Sequence, residues 1–265
     1  MTLRIATYNI NSIRIRLPIL KRIVKEAKPD ILCLQETKVE DALFPVEEIK
    51  KLGFQYVYFT GQKSYNGVAI LSRVPLYDVT SMNLVDSDHK RHISAKLKDG
   101  TEIHNFYMPA GGDIPDRLLN DKFDFKLRSF DALVEWSKAA HKKKKRMILL
   151  GDLNIAPLEH DVWSHKQLLN VVSHTPVETD LLNRLQKTLD WVDTSRHFVP
   201  HSEKLYSWWS YRNQDWQKSN RGRRLDHIWI TPELLPSLKS SVILRETRGW
   251  ESPSDHVPVI TELEI

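Results

Sequence analysis

The sequence predicts an α/β fold in which two mixed β-sheets pack face to face and helices cover their outer surfaces. Strand-like runs outnumber helical ones, and several neighbouring runs follow one another as hairpins do, which does not fit an all-parallel wound sheet. Neither a linker nor a low-complexity segment interrupts the chain. With 265 residues, 41% of them hydrophobic, the chain has enough apolar side chains for one large core, so we expect a single domain over residues 1–265.

Helices are predicted where apolar residues recur every three or four positions, and strands where they alternate or form short runs. Pro29 ends the first helix, because the residue before a proline is pushed out of the α region. The predicted helices are residues 17–27, 42–52, 117–140 and 177–190. The predicted strands are residues 3–10, 30–35, 55–60, 67–72, 76–82, 91–97, 101–108, 146–151, 206–212, 224–231, 241–246 and 257–264.

The formal net charge of +5 favours anionic partners such as nucleic acid or phosphorylated ligands. The most basic run, "HKKKKR" at 141–146, ends a helical stretch. Because cations are favoured at a helix C-terminus, we interpret this run as a solvated helix end and not as a DNA site.

No apolar run reaches the roughly 18 residues that a membrane span needs, so we expect no membrane association. The first residues, "MTLRIATYNI", alternate like a strand and lack the apolar core of a signal peptide. The single cysteine, Cys33, lies in the core-like run "DILCLQ" and cannot form an internal disulfide. Together these features predict a reducing, cytoplasmic setting.

Polar side chains recur where the predicted strands begin or end. In "LLGDLNIAP" a carboxylate and an amide, Asp152 and Asn154, directly follow the apolar run 147–150. Since they lie two apart on what we expect to be an extended segment, both side chains would point to the same side. The other polar groups at strand ends are Asn9 and Asn11, Gln35, Glu36 and Lys38, Tyr107, Asp226, and Asp255 with His256.

Each of these groups also has an ordinary structural explanation. Gly, Asp and Asn form turns, Glu36 could open a helix, Tyr107 could be a core aromatic, and Asp226 could form a buried ion pair with Arg224. Repetition at several strand ends argues for function, because a half-buried carboxylate needs a partner or its pKa rises.

A divalent metal ion would satisfy several such carboxylates at once. Neither a cysteine cluster nor a paired-histidine spacing suggests zinc, whereas carboxylate and amide oxygens suit Mg²⁺ or Mn²⁺. The oxygen donors are Glu36, Asp152 and Asp255, with Asn9, Asn11 and Asn154.

The remaining pair, Asp226 and His256, suggests a carboxylate that orients an imidazole ring towards the substrate. A metal site beside such a pair is suited to in-line attack of water on a phosphodiester.

Six motifs carry a family resemblance: "TYNIN", "LQETK", "NFYMP", "GDLNIAP", "NRGRRLDHIW" and "PSDHVPV". In order and approximate spacing they resemble the exonuclease III family of AP endonucleases, part of the endonuclease/exonuclease/phosphatase superfamily. The likeness runs from residue 5 to residue 260, and "LQETK" with "WW…NRGRRLD" points to the bacterial branch. The resemblance implies a four-layered α/β sandwich and a Mg²⁺-dependent DNA repair nuclease, with Mn²⁺ as an alternative ion. Such an enzyme would cut 5′ to abasic sites and trim 3′ ends as an exonuclease and as a phosphodiesterase or phosphatase.

The resemblance also implies roles for individual positions. Asp152 would activate the attacking water, Asn154 would stabilise the transition state, and Tyr107 would contact phosphate. The catalytic group it implies is Tyr107, Asp152, Asn154, Asp226 and His256. The metal ligands it implies are Glu36, as the principal one, with Asn9, Asp152, Asn154 and Asp255.

The segment "YSWWSYR" at 206–212 and the arginines that follow it interleave aromatic rings with cations, which is typical of nucleic-acid contacts. Trp209 in this segment could instead be a core residue. By resemblance, Trp208 and Leu225 line a pocket for the baseless deoxyribose. The predicted DNA-binding residues are Arg14, Asn11, Lys38, Trp208, Arg221, Arg224 and Leu225. The predicted partner is duplex DNA with abasic sites or blocked 3′ ends, bound by a monomer.

Two positions depart from the family pattern. Ala110 stands where relatives carry Asn or Gln, and Arg223 stands where better-known members carry an aromatic or aliphatic residue. Two alternatives stay open: a phosphoesterase of the same superfamily acting on lipid or inositol phosphates, and a catalytically inactive DNA-binding scaffold.

Overall fold

The computed structural model describes residues 2–140, 145–213 and 215–265. Helices in these residues are α1 Leu17–Ala27, α2 Val46–Lys51, α3 Asp121–Ala140, α4 His165–Leu168, α5 Pro176–Thr188, α6 Thr194–Phe198 and α7 Trp216–Ser219. Strands are β1 Thr2–Asn9, β2 Ile31–Gln35, β3 Tyr56–Gln62, β4 Tyr65–Ser72, β5 Tyr77–Thr80, β6 His92–Lys96, β7 Glu102–Tyr107, β8 Met147–Asp152, β9 Val192–Asp193, β10 Trp208–Trp209, β11 Gly222–Arg223, β12 Asp226–Ile230, β13 Leu238–Ile243 and β14 Val259–Glu264. Short 3₁₀ turns occupy Asp41–Leu43, Glu159–Asp161, Pro232–Ser237 and Arg245–Gly249.

These strands form two six-stranded sheets and a two-stranded ribbon. The first sheet has the order β13-β14-β1-β2-β4-β3, and the second has the order β5-β6-β7-β8-β12-β9. Each sheet contains one parallel pair, β1 with β2 and β7 with β8, among antiparallel neighbours. The ribbon pairs β10 with β11. The predicted fold class, two mixed sheets with helices, is confirmed.

Three layers of apolar side chains hold the sheets and helices together. Between the sheets, residues such as Ile5, Ile70 and Ile148 are fully buried in a common core. On the outer face of the first sheet, α1 packs through residues such as Leu20, and on the outer face of the second sheet α3 packs through residues such as Phe130. The result is a helix–sheet–sheet–helix stack, because each strand alternates its side chains between the inner core and a helical layer.

Most predicted elements appear with shifted ends, and two of the shifts have a clear local cause. The predicted strand 206–212 is a strand only at Trp208–Trp209, because a turn follows in which Asn213 N donates to Ser210 O at 3.1 Å. The predicted helix 117–140 begins at Asp121, since the Asn120 side chain accepts a hydrogen bond from Lys122 N. Helices of four or five residues, such as α4, are too short to leave a periodic pattern in the sequence.

The basic run predicted as a solvated helix end is described only in part. Residues 141–144 lie outside the described residues. In the described remainder, Lys145 Nζ lies 3.2 Å from Glu102 Oε1 and Arg146 Nη1 lies 2.9 Å from Asp99 Oδ2. These two cations therefore form ion pairs with nearby carboxylates of the same chain.

In the described parts of the chain, every helix falls short of the length or the apolar character that crossing a membrane requires.

Arg224 is a structural residue, and its predicted contact with DNA is wrong. Its side chain is 1% exposed, with Nε and Nη2 at 2.8 Å from the two carboxylate oxygens of Asp161 and Nη1 at 2.6 Å from Asp193 Oδ2. Arg196 Nη2 also donates to Asp161, at 2.6 Å. Because side chains alternate along an extended segment, Arg224 turns away from the face that its neighbours Arg223 and Leu225 present.

We predict that Arg224→Met lowers the free energy of unfolding by about 3–5 kcal/mol, because it leaves Asp161 and Asp193 buried without their shared cation. Urea denaturation followed by circular dichroism measures the loss. Arg184→Met is the matched control, since Arg184 is exposed and its pair with Asp131 should contribute about 0–1 kcal/mol. Equal effects of the two substitutions would contradict the structural role of Arg224.

Candidate active site

The parallel pairs bring the ends of four strands to one edge of the sandwich. In the first sheet Asn9 stands beside Gln35, and in the second Tyr107 stands beside Asp152. Asn9 Nδ2 donates a hydrogen bond to Asp152 Oδ2 at 2.9 Å, which joins the two edges directly. The polar strand ends found in the sequence therefore meet because parallel neighbours finish on the same side of a sheet.

Asp152 and Asn154 meet through a turn, and the expected extended segment is wrong. Asn154 has a φ of 54°, in the left-handed region, where Asn is tolerated because its side chain bonds the local backbone. Its backbone N donates to Asp152 Oδ1 at 2.9 Å, and its Nδ2 donates to Asp152 Oδ2 at 3.1 Å and to Met108 O at 2.9 Å. Gly151 precedes them at a φ of 136°, where a Cβ would lie 1.9 Å from Phe106 O, so only glycine fits.

His256 and Asp226 form the predicted carboxylate–imidazole pair. His256 Nδ1 lies 2.8 Å from Asp226 Oδ2, and Ser207 Oγ donates to the same oxygen at 2.7 Å. On the other side of the ring, His256 Nε2 lies 3.7 Å from Asp152 Oδ2. Asp226 is not paired with Arg224, which excludes the structural alternative considered for it.

The electrostatics of this group favour a charged imidazolium. Burial lowers the pKa of His256, but Asp226 and Asp152 outweigh it and raise the pKa well above its ordinary value. Burial raises the pKa of Asp152, partly against the effect of His256. Ligand atoms of Asp152, Asp226 and His256 lie within 4.8 Å of one another. Because Asp226 lies against one ring nitrogen of His256 and Asp152 lies against the other, we interpret these three side chains as an acid–base chain.

Tyr107 is held as a neutral phenol beside a cation that sequence reasoning missed. Burial, Glu36 and Asp152 raise the pKa of Tyr107 well above its ordinary value. The Arg91 guanidinium lies 4.7 Å from the centre of the Tyr107 ring, and its Nη1 donates to Tyr107 O at 3.1 Å. The only signal for Arg91 is the hairpin register that pairs His92 with Phe106 and so puts Arg91 next to Tyr107.

Glu36, Asn9 and Asp255 provide an oxygen donor set that fits a hard divalent cation. Glu36 lies in a loop after β2 with a φ of 56°, so it does not open a helix. Its Oε1 lies 2.7 Å from Lys38 Nζ, which leaves its other oxygen open to a ligand. Carboxylate and amide oxygens are the ligands that Mg²⁺ and Mn²⁺ prefer.

Lys38 and Asn11, predicted to bind DNA, form a polar chain between these donors. Lys38 Nζ donates to Asn11 Oδ1 at 2.8 Å, and Asn11 Nδ2 donates to Asp255 Oδ1 at 3.1 Å. In this structure, both side chains therefore bind other residues of the site. Arg14 is exposed in the loop that follows β1 and does not line the cavity described next.

A cavity of 670 Å³ joins the acidic group to an aromatic and cationic wall. Trp208 connects the two parts, since its Nε1 donates to Asp255 Oδ2 at 2.9 Å. Ala110 also lines the cavity and offers no side-chain amide there. Trp209 is 1% exposed and belongs to the core, which was the alternative to a DNA contact. The acidic side consists of Asn9, Glu36, Tyr107, Asp152, Asn154, Asp255 and His256, and the opposite wall includes Trp163, Leu168, Trp208, Arg221, Arg223 and Leu225.

This two-sheet architecture is that of a known class of phosphoesterases. The chain belongs to the endonuclease/exonuclease/phosphatase family, whose pattern it matches over residues 6–256.

Characterised relatives are similar along almost the whole chain. Exodeoxyribonuclease III of Haemophilus influenzae is 30% identical, covering 99% of this chain and 100% of that protein. The 3′ phosphatase NExo from Neisseria, solved with a product DNA hairpin, superposes with a TM-score of 0.91 at 33% identity, covering 99% of this chain and 100% of that one. An AP endonuclease from Archaeoglobus fulgidus gives a TM-score of 0.90 at 34% identity, with the same coverage.

These similarities confirm the predicted family, the predicted enzyme class and the general function of a DNA repair nuclease. The roles of individual site residues stay predictions, for which the geometry above supplies the physical basis.

We predict that Asp152→Asn lowers the rate of phosphodiester cleavage by at least about a hundredfold, because an amide cannot accept a proton from water. The rate is measured under single-turnover conditions on labelled duplex DNA. Asp131→Asn, at an exposed carboxylate of α3, is the control and should leave the rate unchanged. A near-wild-type rate for Asp152→Asn would remove Asp152 from the reaction.

Proposed function

We propose that the protein is a divalent-metal-dependent nuclease that hydrolyses the phosphodiester on the 5′ side of abasic sites in duplex DNA and trims 3′ ends. The observation that supports this proposal most directly is that one cavity contains both the acid–base chain around Asp152 and the apolar wall of Trp208 and Leu225. Chemistry at a phosphate and reception of a sugar therefore take place side by side.

In the proposed reaction, Asp152 takes the proton of the attacking water. Its position favours this role, because a carboxyl whose pKa is raised by burial is a better base near neutral pH than an exposed one. The hydrogen bonds from Asn9 and Asn154 fix the orientation of its carboxylate.

Two donors address the phosphate: the His256 imidazolium, through Nε2 and its positive charge, and Tyr107, through its O–H. Asn154 acts through Asp152, because both hydrogens of its Nδ2 are donated to Asp152 Oδ2 and Met108 O. Pre-positioned donors of this kind stabilise the negative charge that develops on phosphate oxygens in the transition state. Asp226 keeps the imidazole in place and charged.

We propose that Glu36, Asn9 and Asp255 hold the metal ion, with Asp152 and Asn154 adjacent to them in the predicted ligand group. When bound, Mg²⁺ or Mn²⁺ would supply Lewis-acid polarisation of a phosphate oxygen. A metal ion bound to Glu36 would weaken the ion pair between Glu36 and Lys38. Lys38 would then be able to contact a phosphate of the DNA backbone.

The abasic substrate is supported by the shape and polarity of the wall. Trp208 and Leu225 offer apolar surface next to the acidic group, and an extruded sugar without a base costs the least energy to unpair. Arg221 lies with its guanidinium 4.7 Å from the Trp163 ring and is exposed, so it is placed to contact a phosphate of the strand. The AP endonuclease from Archaeoglobus fulgidus, similar over 99% of this chain, supports the same substrate.

We further propose that the enzyme acts as a monomer in the cytoplasm. The single cysteine, Cys33, is a free thiol that is fully buried in the core, which is typical of proteins in a reducing compartment.

The test is a labelled duplex that carries one tetrahydrofuran abasic analogue, incubated with Mg²⁺ or with excess EDTA. We expect a nick 5′ to the analogue that requires the metal. Binding without cleavage would favour an inactive scaffold, and turnover of inositol phosphates alone would favour the lipid or inositol phosphoesterase.

We predict that Glu36→Gln raises the Mg²⁺ concentration for half-maximal cleavage by at least about tenfold, because a metal ligand matters at least as much as the groups around it. Mn²⁺ binding in the absence of DNA, measured by electron paramagnetic resonance, provides a second readout. Glu48→Gln, on the exposed side of α2, is the control. An unchanged metal titration would reject Glu36 as a ligand.

A further inference from the structure

Arg223 is a half-buried cation without an ion-pair partner in the part of the chain that the structure describes. Among the described residues, none places a carboxylate oxygen within 4.0 Å of its guanidinium, in contrast to its neighbour Arg224 with two aspartates. Its Nη1 donates to two neutral acceptors, Val172 O at 2.9 Å and Ser173 Oγ at 2.7 Å. Its Nε is buried and has no hydrogen-bond partner among the described residues.

The guanidinium is held at the cavity wall beside the reaction centre. It lies 5.3 Å from the centre of the Trp208 ring, and Trp208 in turn donates to Asp255. The antiparallel pairing of Trp208 with Arg223 in the ribbon fixes this arrangement. Arg223 thus presents a positive charge to the cavity across a single aromatic ring from the acidic group.

A half-buried charge without an ion-pair partner favours an anionic occupant. Burial lowers the pKa of Arg223, which reflects the unfavourable desolvation of its charge, and the more distant Glu178, itself paired with Lys126, offsets this only in part. A phosphate that enters the cavity relieves this cost, whereas a neutral sugar removes water from the guanidinium and offers no charge in return.

Two DNA substrates differ in what they bring to this wall. An internal phosphodiester at an abasic site carries a single negative charge, and its 5′ oxygen is bonded to a deoxyribose that must enter the cavity. A terminal 3′-phosphomonoester has a bare oxygen in that place and carries about −1.5 to −2 charges at neutral pH. Electrostatic attraction across the low-dielectric wall is therefore stronger for the monoester.

We propose that Arg223 makes this cavity a phosphate-binding subsite that favours removal of terminal 3′-phosphates over incision at abasic sites. The inference rests on the proposed function, since both reactions use the same acidic group. In the phosphatase reaction a water oxygen bonds to phosphorus and gives a proton to Asp152. The bond from phosphorus to O3′ breaks, and O3′ takes up a proton from solvent water, which leaves inorganic phosphate and a 3′-hydroxyl end. Asp152 then returns its proton to the solvent.

The test compares kcat/KM on two duplexes of one sequence, one with a recessed 3′-phosphate and one with an internal tetrahydrofuran. Arg223→Gln removes the charge and keeps an amide that can donate to Val172 O, while Arg223→Lys keeps the charge. We expect Arg223→Gln to lower the ratio of phosphatase to incision activity at least about tenfold, a difference of about 1.4 kcal/mol in barrier height. Arg223→Lys keeps the charge but not the planar guanidinium, so its ratio should lie between those of the wild type and Arg223→Gln.

Two further variants serve as controls for the comparison. Arg184→Gln removes one exposed charge far from the cavity and should leave the ratio unchanged. Arg223→Met is measured beside Arg223→Gln, with thermal melting of each, so that a folded neutral variant is at hand.

The outcomes separate this inference from the proposed function. A ratio that stays at the wild-type value in a folded neutral variant overturns the role of Arg223, as does an equal loss in Arg223→Lys. A wild-type protein that cleaves neither duplex in Mg²⁺ contradicts the proposed function itself, and the subsite with it.

Discussion

The hydrogen bond from Asn9 to Asp152 joins the two sheets at the place where the proposed chemistry occurs. Each of these residues ends a central strand, and each strand is one half of a parallel pair. A second polar contact lies deeper between the sheets, where Gln35 Nε2 donates to Asn105 Oδ1 at 2.7 Å and Asn105 Nδ2 donates to two carbonyls of the first sheet. In an otherwise apolar interface, hydrogen bonds between buried polar groups specify one relative position of the sheets. The distance between Glu36 on one side and Asp152 on the other depends on that position.

A buried ion pair between Lys126 and Glu178 stabilises the loops of the site. Lys126 Nζ lies 2.5 Å from Glu178 Oε1 and donates to the backbone oxygens of Ala110 and Asn154, at 3.1 and 2.8 Å. Glu178 in turn accepts hydrogen bonds from Ser173 N. One ion pair between two outer helices thereby fixes three loops around the cavity. A buried pair of this kind contributes little net stability but strongly disfavours arrangements that separate its members.

Several residues with unfavourable backbone dihedral angles lie at the site. Asn11, Glu36, Lys38 and Asn154 all have positive φ values, which cost energy for residues other than glycine. These residues bend the chain sharply at strand ends, and two of them, Glu36 and Asn154, line the cavity. The surrounding hydrogen bonds, such as that from Asn154 N to Asp152 Oδ1, compensate for the strain.

The sequence alone determined the fold class, the family and the set of polar residues that gather at the cavity, because periodicity and short motifs are local properties of the chain. It also identified Asp226 and His256 as partners, which lie 2.8 Å apart. Contacts between distant segments were decided only by the tertiary structure. The sequence predicted Arg224 as a DNA contact, whereas the structure pairs it with Asp161 and Asp193. No sequence motif indicated Arg91, which the strand register places beside Tyr107. Whether a cation is neutralised or left to bind a ligand depends on which distant carboxylate reaches it, and that is a property of packing in three dimensions and not of neighbours in the sequence.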